Sequence, residues 1–275
     1  AYSLAAVSLS EASGEKSIAV GYSAKAKGEA SISIGKDSKT EDQNAIAIGI
    51  DSYAKTMDSI AIGNTAKATG LVSTALGARA EALGTSAVAV GINAKAKKDQ
   101  ATALGFNAQA NEENSLALGY GATSSKASGV ALGYLSTADT AAGVAGYNAN
   151  TGRSDTYNAL SGTALTSTLG AVSVGNSSNT RQITGVAAGT ADTDAVNVAQ
   201  LKSINLAFTG NSGSGDVNLS KSKLAVEGGT NSFITTTAAN KKLEINTTQG
   251  TLKNTSGTVS VNGANGLAVA QNVAD

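Results

Sequence analysis

Glycine recurs at every fourteenth residue through the first half of the chain, and this period constrains the fold more than any other feature. Nine glycines keep the period without a break: Gly21, Gly35, Gly49, Gly63, Gly77, Gly91, Gly105, Gly119 and Gly133. A thirteen-residue step then leads to Gly146. A short, fixed period of this kind indicates a solenoid, in which each repeat packs only against its neighbours.

Each of these glycines is preceded by bulky aliphatic residues that alternate with small ones. Ala, Ser or Gly lies four and two positions before the glycine. Such alternation predicts a β-strand whose two faces differ. The bulky positions lie three and one residues before the glycine, and sixteen of the eighteen are Ile, Val or Leu: Ile18, Val20, Ile32, Ile34, Ile46, Ile48, Ile60, Ile62, Leu76, Val88, Val90, Leu104, Leu116, Leu118, Val130 and Leu132.

A second short strand is predicted after each glycine. Small residues return three and five positions later, as in Ala24 and Ala26 or Ala66 and Ala68, with polar residues between and beside them. Two strands and two turns in fourteen residues form one flattened coil, which stacks on the next by parallel pairing at about 4.8 Å. If the small side chains face each other inside, the coil is thin and the bulky aliphatic side chains point outward.

The outward aliphatic side chains form an apolar ribbon larger than a soluble monomer usually exposes. We therefore predict that the sixteen side chains form a core between copies of the chain. The residues alone leave open whether two chains or three cover the ribbon. The opposite, polar wall is predicted to face solvent, and six side chains are candidates for an adhesive outer face: Lys25, Lys39, Tyr53, Lys67, Arg79 and Lys95.

The period is lost after Gly146, and residues 147–169 are interpreted as an insertion loop. "AVSVG" at 171–175 then restores one strand. Four side chains are expected to order part of the insertion: Tyr147, Tyr157, Leu160 and Leu165.

A helix is predicted in the segment that follows this strand. Asp192 or Thr193 is predicted to cap it, and it would have about a dozen residues. Three apolar residues recur at every third position of the later segment: Val198, Leu201 and Ile204.

The sequence "RQITGVAAGTADTDAVNVAQL" at 181–201 resembles the neck of trimeric autotransporter adhesins. The family pattern reads R-Q-I-T-x-V-A-A-G, four residues, then D-A-V-N-V-x-Q-L, and Gly185 stands where the family often has Asn. Upstream, "SIAVGYSAKA" at 17–26 is similar to the family's head repeat, S-V-A-I-G-x-x-S/A-x-A. The resemblance covers about residues 1–204. The matching neck residues include Arg181, Ile183, Val186, Asp194, Val196, Val198, Gln200 and Leu201.

This resemblance implies an all-β homotrimer built on a left-handed parallel β-roll solenoid with 14-residue coils. It implies a head over 1–175 with an insertion at about 147–169, a short helical neck over 176–204, and a small interwoven β-rich domain over 205–275. In the neck each chain would cross beneath its neighbour. Arg181 and Asp194 are candidates there for an ion pair between chains, with solvated charges as the alternative.

The last seventy residues are rich in Thr, Asn, Gly and Ser. Short strands are predicted at "LAFTG", "KLAVEGG", "SFITTT" and "KKLEINTT". The sequence contains no membrane strand, so we expect contact with the membrane only through a C-terminal anchor that lies outside it.

Composition argues against an enzyme. The chain has no His and no Cys, which removes the commonest acid–base and thiol groups. Its net charge is zero, which offers no overall field for nucleic acid. We expect no catalytic residue, metal or cofactor.

The resemblance instead implies an adhesin that mediates autoagglutination and attachment to extracellular matrix, cells or abiotic surfaces. It would lie on the cell surface, attached to the outer membrane of a Gram-negative bacterium. Two alternatives remain: a spacer that projects other binding domains, and an ice-binding solenoid, which would need a regular Thr-x-Thr array on a flat wall.

Overall fold

Each fourteen-residue repeat forms one coil with two short strands, because bulky and small side chains alternate before the glycine and small residues return after it. The computed structural model describes residues 2–147, 162, 165–210, 212–219, 221–228, 234–239 and 242–247. The chain divides into two compact units, Ala1–Ala195 and Val196–Asp275. The first unit contains the coils, and it is a parallel β-solenoid, as predicted.

The strands of the first unit, numbered in chain order, form two sheets that run the length of the solenoid. The first sheet has eleven strands: β1 Leu4–Ala6, β3 Ile18–Val20, β5 Ile32–Ile34, β7 Ile46–Ile48, β9 Ile60–Ile62, β11 Thr74–Leu76, β13 Val88–Val90, β15 Thr102–Leu104, β17 Leu116–Leu118, β19 Val130–Leu132 and β21 Val172–Ser173. The second has ten: β2 Glu11–Ala12, β4 Lys25–Ala26, β6 Lys39–Thr40, β8 Tyr53–Ala54, β10 Lys67–Ala68, β12 Glu81–Ala82, β14 Lys95–Ala96, β16 Gln109–Ala110, β18 Thr123–Ser124 and β20 Thr137–Ala138.

Neighbouring coils pair in parallel with equivalent residues in register. Ile46 lies opposite Ile60, and Lys67 lies opposite Glu81, fourteen residues apart in each case. The amide of Ile60 donates to the carbonyl of Ser73 at 2.9 Å, so each coil binds the next through its backbone. The predicted repeat is therefore the unit of the fold.

The interior of the solenoid holds only small side chains. Its fully buried hydrophobic residues are alanines, such as Ala47, Ala61 and Ala89, and the largest fully buried side chain among the described residues is that of Thr40. The bulky aliphatic residues of the first sheet all lie on the other face of their strands. The predicted thin coil with an aliphatic exterior is confirmed.

The period glycine lies at a corner that excludes a side chain. Gly63 has φ +136°, and a Cβ there would lie 2.4 Å from the carbonyl oxygen of Gly77. Each coil also turns through left-handed residues that are not glycine, often Asn or Asp, which tolerate that conformation. Examples are Asp51 (φ 55°), Asn93 (φ 58°) and Asn114 (φ 55°).

The chain leaves the solenoid after β20 and returns at β21. Val172 of β21 lies opposite Val130 of β19, which confirms the strand predicted at "AVSVG". Within the segment that joins β20 to β21, Gly146 donates its amide to the carbonyl of Leu165 at 2.8 Å. The predicted roles of Tyr157 and Leu160 lie outside the described residues.

The second unit contains one short helix and two antiparallel hairpins. The helix α1 spans Val198–Lys202, the first hairpin pairs β22 Asn205–Thr209 with β23 Ser214–Asn218, and the second pairs β24 Ile234–Ala239 with β25 Lys242–Thr247. Strands β22, β24 and β25 match predicted strands. The strand predicted at "KLAVEGG" is wrong, because its described residues, 223–228, carry no strand and Val226 accepts instead from the Thr236 hydroxyl at 2.6 Å.

Candidate functional site

The outer face of the first sheet is a continuous apolar surface, which we call the aliphatic wall. All sixteen aliphatic residues predicted for the core between chains lie on it. Twelve are half-buried, and Ile34, Leu76, Leu104 and Leu132 are 37%, 44%, 42% and 43% exposed. Because the interior of the coil is filled by Ala and Ser, these side chains have no core of their own chain to enter. Their packing between chains stays a prediction.

The outer face of the second sheet is the polar wall, and it carries two columns of side chains. The first column holds the residue four positions after each period glycine, and includes Lys25, Lys39, Tyr53, Lys67 and Lys95. The second column holds the residue six positions after the glycine: Lys27, Glu41, Lys55, Thr69, Leu83 and Lys97 over the same coils. Sequence reasoning missed the second column, although the same period marks it.

Arg79 is the exception among the six predicted adhesive residues. It lies in a turn with φ 58°, and its Nε donates to Oδ1 of Asn93 at 2.6 Å. In this coil the first-column position, four residues after Gly77, is occupied by Glu81 and not by Arg79. The structure therefore brings five of the six together on the polar wall and places Arg79 on the edge of the roll, because it lies two residues and not four after its glycine.

Three side chains of the polar wall form a closed cluster. The ammonium of Lys39 forms an ion pair with Glu41 and lies 5.1 Å from the ring centroid of Tyr53. The Tyr53 hydroxyl donates to Oε2 of Glu41 at 2.7 Å. The hydrogen bonds from Lys39 and Tyr53 lower the pKa of Glu41. Burial and the bond to Glu41 raise the pKa of Tyr53 to about 12. The cluster is therefore ionised at Glu41 and neutral at Tyr53 over the physiological range.

A ladder of aromatic rings lies on the edge between the two walls, directly after the period glycines. Phe106 and Tyr120 stack with ring centroids 5.4 Å apart, and Tyr120 stacks on Tyr134 at 5.3 Å. These rings are 41%, 50% and 54% exposed. Sequence reasoning missed this ladder, whose signal is the residue that follows each glycine.

The end of the roll is capped by side chains from the first predicted neck residues. The guanidinium of Arg181 donates to the carbonyl of Tyr134 at 2.8 Å, to the hydroxyl of Ser136 at 3.1 Å and to the carbonyl of Val174. The Asn176 amide donates to the carbonyl of Leu135 at 2.7 Å. The carbonyls of Tyr134 and Val174 lie at positions that accept from the next coil elsewhere in the roll, so the bonds from Arg181 replace hydrogen bonds that a further coil would make.

Asp194 also has partners in its own chain. Its carboxylate accepts from the amides of Thr190 at 2.8 Å and Ala191 at 3.0 Å. The bond from Ala191 and then that from Thr190 lower the pKa of Asp194. The structure thus uses Arg181 and Asp194 separately, each on backbone groups of its own chain. The ion pair between chains stays a prediction.

The helix of the predicted neck begins later and is shorter than the sequence suggests. Asn197 is its N-cap. The Asn197 side chain accepts from the Gln200 backbone amide at 2.9 Å, and the Gln200 side chain accepts from the Asn197 backbone amide. The prediction of Asp192 or Thr193 as the cap is wrong. Asp194, which bonds the amides of Thr190 and Ala191, holds the chain in a turn there, so the helix has five residues.

The apolar neck residues are exposed in the single chain. Val198 and Leu201 are 65% and 59% exposed, whereas Gln200 is partly covered. Ile183 and Val196 are also exposed, and Val186 is half-buried. In the described part of the chain no helix has the length and hydropathy of a membrane span. The same residues contain no group of His, Cys, Asp or Glu side chains placed to hold a metal ion.

Two family models match this sequence. The YadA head domain repeat matches in overlapping segments over 12–38, 42–66, 57–80, 68–94, 82–108, 96–122 and 110–136. The coiled stalk of trimeric autotransporter adhesin matches residues 182–223. Together the two models cover more than half of the chain.

Several characterised proteins share short, closely similar segments. The autotransporter adhesin BadA of Bartonella henselae is 75% identical over 40 residues, 14% of this chain and 1% of BadA. The trimeric autotransporter adhesin AtaA of Acinetobacter is 64% identical over 44 residues, 15% of this chain and 1% of AtaA. The autotransporter adhesin EhaG of Escherichia coli O157:H7 is 49% identical over 57 residues, 21% of this chain and 4% of EhaG. The chain thus matches a small fraction of the length of these relatives.

One solved structure was also found to be similar. The collagen-binding domain of the Yersinia adhesin YadA aligns with 30% sequence identity and a TM-score of 0.40. The alignment covers 70% of this chain and 84% of that domain.

Proposed function

This chain belongs to the trimeric autotransporter adhesins, and on that premise we propose that it is a rod-like adhesive segment formed by three copies. The three rolls bury their aliphatic walls around a common axis and turn their polar walls outward. The polar walls attach the bacterium to extracellular matrix, to cells or to abiotic surfaces, and link bacteria to one another. The segment lies on the surface of a Gram-negative bacterium, as its relatives do.

The aliphatic wall carries this proposal. Sixteen Ile, Val and Leu side chains lie side by side on one face of nine stacked coils, half-buried or exposed in the single chain. Burying one such side chain fully contributes roughly 1.5–3 kcal/mol, and none of this is available inside a coil packed with Ala and Ser. Assembly is the way in which this sequence can bury its large apolar groups.

Three chains rather than two fit the family. A face-to-face pair would cover the aliphatic walls and leave a flat double layer. A ring of three encloses the same walls around an axis and exposes three polar walls. Three equivalent walls also permit multivalent attachment, in which weak contacts reinforce each other.

Sedimentation equilibrium tests the assembly. The purified 275-residue chain is expected to sediment at three times its 26.9 kDa mass. The double variant Ile46→Asp/Val88→Asp is expected to dissociate, because carboxylates would be buried near the axis. The matched control Lys25→Asp/Lys67→Asp places the same two carboxylates on the polar wall and should remain trimeric. A wild-type monomer, or dissociation of the control alone, would contradict the proposal.

Attachment of coated beads tests the adhesive role. Beads carrying the trimer are expected to bind collagen, cultured cells or plastic, and to aggregate with one another, more than beads carrying albumin. If the trimer forms but the beads attach to none of these surfaces, the segment is a spacer that projects other binding domains.

A further inference from the structure

The part of the polar wall nearer the N-terminus carries a strong positive charge in a chain whose net charge is zero. Between β4 and β14 its two columns hold seven lysines and two glutamates. The glutamates are each paired with a wall lysine, Glu41 with Lys39 and Glu81 with Lys95 at 3.3 Å. Five exposed lysines on this stretch, which we call the basic strip, form no ion pair: Lys25, Lys27, Lys55, Lys67 and Lys97.

The acidic residues near the basic strip leave its lysines in excess. On the adjoining turn edge, Glu29 pairs with Lys16 at 3.5 Å. Asp42 accepts from the Gln43 amide at 2.8 Å, and Asp99 accepts from the Thr85 amide at 2.7 Å. Glu11 lies opposite Lys25 at the end of the first column. The strip therefore keeps a net positive charge that an external anion can bind.

The lysines are spread along the roll over several coils. Since coils stack at about 4.8 Å, Lys27 and Lys55 lie about 10 Å apart, and Lys25 and Lys67 about 14 Å apart, along the stacking direction. The strip ends where the columns continue with uncharged residues, namely Gln109, Asn111, Thr123 and Ser125. Compact ammonium groups spread along two neighbouring columns of one wall suit a linear polymer with repeated anionic groups.

We propose that the basic strip binds a linear sulfated polysaccharide, laid along the roll. This inference rests on the proposed adhesive function and names the class of partner for its polar wall. Single-stranded nucleic acid fits less well, because base stacking needs free aromatic faces and the strip's one ring, Tyr53, lies under Lys39. A membrane surface fits less well, because Leu83 is the one aliphatic side chain in the strip and insertion needs a broad apolar face.

The test measures binding of the trimer to immobilised heparin, with fully desulfated heparin as the reference ligand. The strip variant Lys25→Gln/Lys27→Gln/Lys55→Gln/Lys67→Gln is compared with an edge variant, Lys16→Gln/Lys36→Gln/Lys98→Gln/Lys126→Gln. Both remove four positive charges, so they share one net charge, and all of the substituted lysines are exposed except the half-buried Lys126. Circular dichroism and sedimentation establish that both are folded trimers.

The wild-type trimer is expected to bind heparin at least tenfold more tightly than desulfated heparin, with affinity that falls as salt is added. The strip variant should lose at least tenfold in affinity, and the edge variant less than twofold. Equal losses in the two variants, equal binding to desulfated heparin, or tighter binding to single-stranded DNA or phosphatidylserine vesicles would overturn the inference. Bead attachment that persists without heparin binding would overturn this inference alone and leave the adhesive function standing.

Discussion

The two compact units of this chain build their stability in opposite ways. In the solenoid, alanines such as Ala47 and Ala61 are fully buried and every coil is bound to the next by backbone hydrogen bonds. In the second unit, none of the described residues is buried, and strand residues such as Phe208 and Ile245 are 45% and 60% exposed. The solenoid thus closes a core of its own and leaves its aliphatic wall outside that core. The described part of the second unit has hairpins without a core. In the proposed trimer, other chains would cover both the wall and the hairpins.

The largest effect should come from separating the chains. In the monomer fraction of Ile46→Asp/Val88→Asp, backbone amides of β22–β25 are expected to exchange with deuterium at least about 100-fold faster than in the trimer. Amides in the central coils should change by less than about tenfold, because their Ala core stays within one chain. Hydrogen exchange followed by mass spectrometry would measure both. Equal loss of protection in the two units would refute the contrast between them.

Glycine substitutions should reveal the same contrast within the trimer. Gly63→Ala would place a Cβ 2.4 Å from the carbonyl oxygen of Gly77 at φ +136°, and should cost the roll about 3–5 kcal/mol. Gly213→Ala between β22 and β23, with φ +84° and nothing within 4 Å, should cost about 1–2 kcal/mol. Urea unfolding monitored by circular dichroism gives the first value, and exchange of β22 amides gives the second. Similar costs at both sites would show that the coils are less tightly stacked than described.

Removing the cap at the end of the roll should have a smaller, local effect. Arg181→Met deletes three hydrogen bonds to the last coils and should cost about 1–2 kcal/mol, since the guanidinium is largely exposed. The readout is faster exchange of the Leu135 and Thr137 amides. Arg79→Met, which loses one exposed bond to Asn93, serves as the control and should cost less than about 0.5 kcal/mol. An effect of Arg79→Met as large as that of Arg181→Met would argue against capping.

The smallest effect concerns pH and the cluster on the polar wall. The Tyr53 pKa of about 12 lies above its usual value near 10, so the stability that Tyr53 contributes is present below pH 10 and is lost as pH rises through 12. The ultraviolet difference titration between wild type and Tyr53→Phe should show a midpoint near 12. Glu41→Gln should lower that midpoint only in part, because burial is the larger cause of the raised pKa. A midpoint near 10 in the wild type would mean that neither the burial of Tyr53 nor its bond to Glu41 is present in solution.

The opposite holds for the carboxyl of the same cluster. The pKa of Glu41 is lowered by its bonds to Lys39 and Tyr53, so its contribution is present above the ordinary carboxyl pKa and disappears as pH falls through the lowered value. Acid titration of Glu41 by NMR, compared in wild type and Lys39→Met, should show a higher pKa in the variant.

The periodic part of the molecule was predictable because each coil repeats the same alternation of bulky and small residues around its glycine. The residues before Gly63, for example, give a strand with Ala61 inside and Ile60 and Ile62 outside, and the structure has this arrangement. Features that depend on contacts between distant segments gave no such signal. The cap from Arg181 to Tyr134 joins residues 47 positions apart across an insertion, and spacing cannot reveal it.

Outside the period, local sequence was a weaker guide. No strand was predicted at "SGDVN", which forms β23 because β22 provides a strand to pair with. The helix cap fell at Asn197 because a reciprocal bond with Gln200 was available there. The polar wall was recognised by its first column, while Arg79 was assigned to it by residue type and not by position.

The in-register stack of coils also determines how such a head can change in length. Because each coil contacts only its two neighbours, duplication or loss of one whole repeat leaves every junction matched and moves the tip by about 4.8 Å. An insertion of a single residue within a strand would instead exchange its inner and outer faces and place Ile where only Ala fits. Evolution can therefore lengthen or shorten this solenoid in fixed steps, and natural variants should differ by whole multiples of fourteen residues.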